Sequence, residues 1–171
     1  MDNSSYCEVL VKVKRPHWEI ILSKALWIAL AVYLVAGLFY LIAWILAIPF
    51  LIGAILMKRR VNQEFEYQYL DGTLRVDRII NMKKRKKVGS YDVENLTVMA
   101  PEGSDKLTGA LMDKSMKTLD CSSGDKSAAN RYMAVYRGRE PLCLILEPND
   151  HLLQLMWRSA PSKVTRKAKS W

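Results

Sequence analysis

The stretch ALWIALAVYLVAGLFYLIAWILAIPFLIGAILM, from Ala25 to Met57, decides the class of this chain. It carries no charged residue, and Lys58-Arg59-Arg60 close it abruptly. A signal peptide has a shorter apolar core, roughly 7–15 residues, and ends in small residues rather than a basic cluster. A buried helix of a soluble protein is also out of scale at this length. One continuous helix would be about 50 Å long at ~1.5 Å per residue. Fitting it into a hydrocarbon core of about 30 Å by tilt alone requires roughly 53°, beyond the usual range of about 0–40°. If Ile20 to Ser23 join the run and the chain turns once, two helices of roughly 17–20 residues result. Each is then about 26–30 Å long and matches the bilayer.

Charge points the same way. Lys12, Lys14, Arg15 and Lys24 precede the run, and Lys58, Arg59 and Arg60 follow it. A hairpin keeps both clusters on the cytosolic side, as the positive-inside rule prefers; a single span puts one outside. The expected hairpin occupies residues 18–60, with helices at about 20–40 and 44–59. Tyr40 and Trp44 then mark the outer interface and Trp18 the inner one. Ala25/Ala29, Ala43/Ala47 and Gly53 are small residues that let two helices approach. No Gly, Pro, Asn or Ser lies between Leu41 and Ala47, so a single tilted or kinked span stays open as the alternative. A helix lying in the membrane plane lacks the polar face it needs.

The rest of the 171-residue chain is strongly polar and carries most of the net charge of +9. That balance favours anionic partners, and the adjacent membrane segment makes lipid headgroups a nearer expectation than nucleic acid. Cys7, Cys121 and Cys143 are odd in number and widely spaced, which reads as free thiols in a reducing compartment. The only histidines are His17 and His151, too few to complete a zinc site with them.

Residues 1–17 form an N-terminal cytoplasmic arm in which Tyr6, Val9/Leu10 and Val13 recur at helical spacing. The expectation is a small amphipathic helix, with a frayed tail as the alternative, and Pro16 suits the first turn of the membrane helix. From Glu64 the period changes to two. Phe65, Tyr67 and Tyr69 alternate with Glu66 and Gln68, and Asp71-Gly72 is a hairpin turn signal. Leu74, Val76 and Arg78 continue on a return strand, and Ile79-Ile80 suggests a bulge. Lys83–Lys87 is expected at a second turn, before a strand near Val88–Tyr91. Further strands are read at Leu96–Met99, Thr118–Ser122, Tyr132–Arg137 and Leu142–Glu147. Ser104 or Asp105 could start a short helix through Met112. Asn149 caps a last helix whose apolar face is Leu152, Leu155 and Met156, ending before Pro161. Residues 161–171 form a basic tail. About seven antiparallel strands over residues 61–160, bent into a partly open barrel or two stacked sheets and plugged by a helix, follow the element order of pleckstrin-homology (PH)-like domains. The fold class is therefore α+β: a transmembrane helical hairpin, then a PH-like antiparallel β-barrel with a C-terminal helix.

The segment from Glu66 to Val88, EYQYLDGTLRVDRIINMKKRKKV, resembles a family of small membrane proteins from clostridia-like Gram-positive bacteria. Asp71-Gly72, Leu74, Asp77, Ile79, Asn81, Lys84-Arg85-Lys86 and Val88 match its pattern, as does the later Ala100-Pro101-Glu102. The resemblance covers nearly the whole chain, departing at the hairpin turn and at residues 103–130. It implies a two-helix anchor and a PH-like domain; it carries no activity.

Lys83, Lys84, Arg85, Lys86 and Lys87 are the candidate anionic-lipid contact, since each base near the surface contributes about 1 kcal/mol. Its bland counterpart is a solvated turn. Asp77 and Asn81 suit a structural role, and Asp150-His151 a helix start. Asn3-Ser4-Ser5 and Asn95-Leu96-Thr97 are glycosylation patterns that stay unmodified on the cytosolic side. No catalytic, metal or cofactor motif stands out. The reading is a non-enzymatic, membrane-anchored interaction module. It is integral to the cell membrane, with both termini and the β domain cytoplasmic. Its partners are the bilayer, anionic headgroups or a protein. The alternative is a small membrane enzyme, or an accessory subunit of a transporter or secretion complex.

Overall fold

The computed structural model describes residues 6–112, 116–137 and 140–166. Asn3-Ser4-Ser5 and the end of the basic tail lie outside them. The chain begins with strand β1 (Tyr6–Lys12) and then enters two antiparallel helices, α1 (His17–Ala36) and α2 (Ile42–Val61). Strands β2 (Gln63–Leu70), β3 (Thr73–Ile80), β4 (Lys84–Asp92), β5 (Leu96–Pro101), β6 (Lys117–Asp120), β7 (Tyr132–Tyr136) and β8 (Leu142–Leu146) follow, and α3 (Asp150–Ser159) closes the fold.

Both long helices are long and apolar enough to cross a membrane. They touch along a narrow seam. Ala43, Ala47 and Ala54 of α2 and Leu30 of α1 are buried, and Tyr33 stacks on Phe50 at 4.9 Å. Ala43/Ala47 and Gly53 therefore serve close approach as expected. Ala25 instead faces outward, because the α1 seam runs through Leu26, Ala29, Leu30 and Tyr33. The turn also falls earlier than the sequence suggested, at residues 37–41. Gly37 caps α1, and its carbonyl accepts a bond from Trp44 Nε1 at 3.0 Å. A Cβ at Gly37 would lie 2.5 Å from that indole nitrogen, so only glycine permits this contact. Most other side chains of both helices are exposed, among them Leu38, Phe39, Tyr40 and Leu41 at the turn.

The N-terminal arm is a strand rather than an amphipathic helix. β1 pairs antiparallel with β2, placing Val11 opposite Phe65, Val9 opposite Tyr67 and Cys7 opposite Tyr69. Its valines alternate, and β-branched side chains suit a pleated, half-buried surface. The order β1-β2-β3-β4 makes one four-stranded sheet, and β5-β7-β8-β6 makes the other. β6 runs parallel to β8, so the eight strands among the described residues are not wholly antiparallel. Among the described residues no ladder joins the two sheets, and the barrel is not closed.

Local chemistry explains the connections. Asp71 (φ 45°) and Gly72 (φ 84°) form the two-residue β2–β3 hairpin turn, whose positive φ values match strand twist. The bulge lies between Val76 and Asp77 in the β3–β4 pairing rather than at Ile79-Ile80. The two sheets and α3 share one core built on Tyr67, Tyr69, Leu74, Met99, Leu144, Leu152 and Met156. Tyr67 spans it: its hydroxyl donates to the Cys121 carbonyl at 2.5 Å. The second sheet is buried on both faces, so β8 reads as the continuous apolar run LCLIL. Its outer face, Val135 and Cys143, is covered by Leu107, which the tight turn at Asp105–Leu107 presents. That turn replaces the helix expected through Met112. Asn149 caps α3 by accepting from the Leu152 N–H at 2.8 Å, as anticipated.

Candidate functional site

Three connections meet where the helices join the sheet. The link from β1 to α1 is fixed by Val13 N–H donating to the Gln63 carbonyl at 3.0 Å and Lys14 N–H to that of Ser123 at 2.7 Å. α2 runs into β2 through Asn62. The β3–β4 loop, Asn81–Lys83, returns to the same place, because Asn81 N–H donates to the Asn62 carbonyl at 2.8 Å. Asn81 and Met82 both adopt positive φ (53° and 55°), which turns the loop tightly and leaves Met82 exposed at its tip.

These connections enclose an open cavity of about 1060 Å³. Lys12, Lys14, Arg15, His17, Lys58 and Lys83 line it, against the carboxylates of Glu64 and Asp125. Both carboxylates are already engaged. Lys12 lies 3.7 Å from Glu64 and Lys14 3.0 Å from Asp125. The Asp125 carboxyl is held well below the usual carboxylate range, first by the Ser127 hydroxyl and then by Lys14. Arg15 Nη2 donates to Gln63 Oε1 at 3.2 Å, while its Nε is buried with no acceptor among the described residues.

The opposite end of the first sheet differs in sign. β2 has eight residues and spans ~24 Å at ~3.4 Å per residue. At its far end Asp71, Asp92 and Glu94 surround a smaller hollow of about 560 Å³, with Lys163 the one base on its wall. The domain is thus basic at the end that meets the helices and acidic at the other.

The run Lys83–Lys87 is not confined to a turn. Only Lys83 belongs to the loop; Lys84, Arg85, Lys86 and Lys87 begin the edge strand β4 and are exposed. Strand alternation splits them. Arg85 reaches Glu66 at 3.1 Å, and Lys87 stands opposite Asp77, itself 3.1 Å from Arg75. Glu66 is fully buried, and burial pushes its carboxyl pKa up; a hydrogen bond shared with Glu8 adds to the rise and Arg85 opposes it. Lys83, Lys84, Lys86 and Lys87 have no carboxylate partner among the described residues. Lysines on an exposed edge also discourage edge-to-edge pairing.

Lys12, Lys14, Arg15 and Lys58 were legible only as orientation signals. Their convergence with Lys83 could have been anticipated from the hairpin itself, since the two ends of a helical hairpin must lie at one level. Elsewhere, buried Arg131 joins Glu102, Asp120 (3.1 Å) and the Ser122 hydroxyl (2.6 Å), and so ties the 101–131 segment together. Asp150 and His151 are exposed at the start of α3. No cluster of three or more potential metal ligands occurs among the described residues.

Two sheets around one core, closed by a C-terminal amphipathic helix and carried on an apolar helical pair, define a PH-like domain with an N-terminal helical extension. Residues 3–166 match the model of the bacterial PH-like domain family DUF6106, and the chain belongs to that family. Comparisons with curated proteins and with solved structures give no match.

Proposed function

We propose that the chain is a membrane-anchored, non-enzymatic interaction module, with α1 and α2 crossing the bilayer as a hairpin. The PH-like domain rests on the cytosolic leaflet, where its basic end meets anionic headgroups and its outer end is free for a protein partner. The Asn81–Asn62 bond carries this reading, since it keeps Lys83 and the start of β4 beside the base of α2. The acidic far end supports it, because that polarity turns the domain toward an anionic surface. The exposed apolar flanks of both helices support the anchor, since in water each buried CH₂ forgone costs about 0.8 kcal/mol.

The test uses the full chain in lipid nanodiscs, with a fluorophore on Met82→Cys. In discs containing phosphatidylglycerol, headgroup-attached quenchers should reduce emission more than in pure phosphatidylcholine. The quadruple variant K83Q/K84Q/K86Q/K87Q should lose that difference. Equal quenching in both lipids would refute headgroup contact.

A further inference from the structure

We infer that the cavity between the helix bases and the first sheet is a discrete site for one phosphate-bearing anion. This rests on the membrane-surface reading above and goes beyond it. A diffuse basic edge attracts many lipids weakly, whereas a walled cleft holds one.

The cation balance carries the argument. Lys12 and Lys14 are neutralised by Glu64 and Asp125, which leaves Arg15, Lys58 and Lys83 facing the same space without a carboxylate among the described residues. Lys58 lies 5.6 Å from the centre of the Trp27 ring. Arg15 is the most telling of the three. Its guanidinium is anchored by Gln63 at 3.2 Å, which fixes its orientation on the cavity wall. A guanidinium fork matches phosphate oxygens with two parallel bonds.

The shape favours a lipid headgroup over free phosphate. The cavity also presents Val13, Pro16, Ile20, Val61 and Met82, an apolar wall continuous with the helices. A glycerol backbone and the start of an acyl chain fit such a wall; inorganic phosphate does not use it. The volume of about 1060 Å³ is ample for a headgroup.

The experiment has two arms on the full chain. In the first, protein purified from phosphatidylglycerol-containing membranes is examined by native mass spectrometry. One retained phosphatidylglycerol per chain is expected. Arg15→Gln or Lys83→Gln should lower that retention at least tenfold, while Lys117→Gln, exposed on β6, keeps it. In the second arm, inorganic phosphate is titrated into phosphatidylcholine nanodiscs. Saturable phosphate binding lost in Arg15→Gln, without retained lipid, would support the site and identify its ligand as soluble. Unreactive Cys7, Cys121 and Cys143 report that each variant is folded. Retention unchanged in both Arg15→Gln and Lys83→Gln, with no saturable phosphate binding, would overturn the inference. Headgroup quenching at Met82→Cys that persisted alongside that result would leave the membrane-surface reading standing.

Discussion

Replacing Tyr67 by Phe removes one oxygen from the centre of the domain and little else. That hydroxyl donates to the Cys121 carbonyl at 2.5 Å and lies 3.4 Å from the Glu147 N–H. Tyr67 and Cys121 are both fully buried, so water cannot replace the lost partner. A buried carbonyl stripped of its donor costs about 1–3 kcal/mol. At about 1.4 kcal/mol per tenfold, the open population should rise roughly 5- to 150-fold. The domain carries its own reporter. Burial pushes the Cys121 thiol up to about 12 and raises Cys7 and Cys143 as well, so alkylation near neutral pH measures opening. The assay is the rate of thiol alkylation in the full chain in nanodiscs, with denatured protein as the reference. Tyr69→Phe is the control. Its hydroxyl donates to Ser159 Oγ at 2.6 Å in a half-buried setting, so the smaller cost of about 0.5–1.5 kcal/mol applies. Wild-type reactivity in Tyr67→Phe, or a larger effect in Tyr69→Phe, would refute the claim that Tyr67 clamps the two sheets.

Asn149→Ala removes the cap of α3 and should cost about 0.5–2 kcal/mol, read by the same alkylation rates. Glu66→Gln tests the buried carboxyl. Its folded pKa is raised above the ordinary 4.5, chiefly by burial, so its favourable contribution is complete at low pH and is lost as pH rises through the folded value. The variant should therefore gain on wild type as pH rises toward neutral, and the gap should close in acid; a pH-independent gap would contradict the assignment. Arg85→Gln removes the opposing charge and should deepen the neutral-pH loss in the Glu66 protein.

The parts of the fold that local pattern governs were legible in the sequence. The two apolar helices follow from length against bilayer thickness. The β2–β3 hairpin follows from period two and Asp71-Gly72, and α3 from Asn149 and the Leu152/Leu155/Met156 face. What escaped depends on pairing across long stretches of chain. β1 shows its valines at a spacing that also suits a helix, and its partner β2 lies beyond both membrane-length helices. The parallel β6–β8 pair has no local turn to announce it. The sequence reading sets the hairpin turn between about residues 40 and 44, where no Gly, Pro, Asn or Ser marks it. The chain instead uses Gly37, where the indole of Trp44 closes on the backbone. For the candidate site, the Lys83–Lys87 run was visible, but strand alternation divides it and Glu66 occupies Arg85. The cavity bases come from three separate segments, and no linear motif joins them.

The claim on which the rest depends is that α1 and α2 cross together and leave the β domain in the cytosol. Single cysteines at Phe39, in the turn, and at Lys126, on the domain surface, can be challenged with a membrane-impermeant maleimide in intact cells expressing the full chain. The account predicts that Phe39→Cys reacts at once and that Lys126→Cys reacts only after permeabilisation. Reaction of Lys126→Cys from outside intact cells would contradict it.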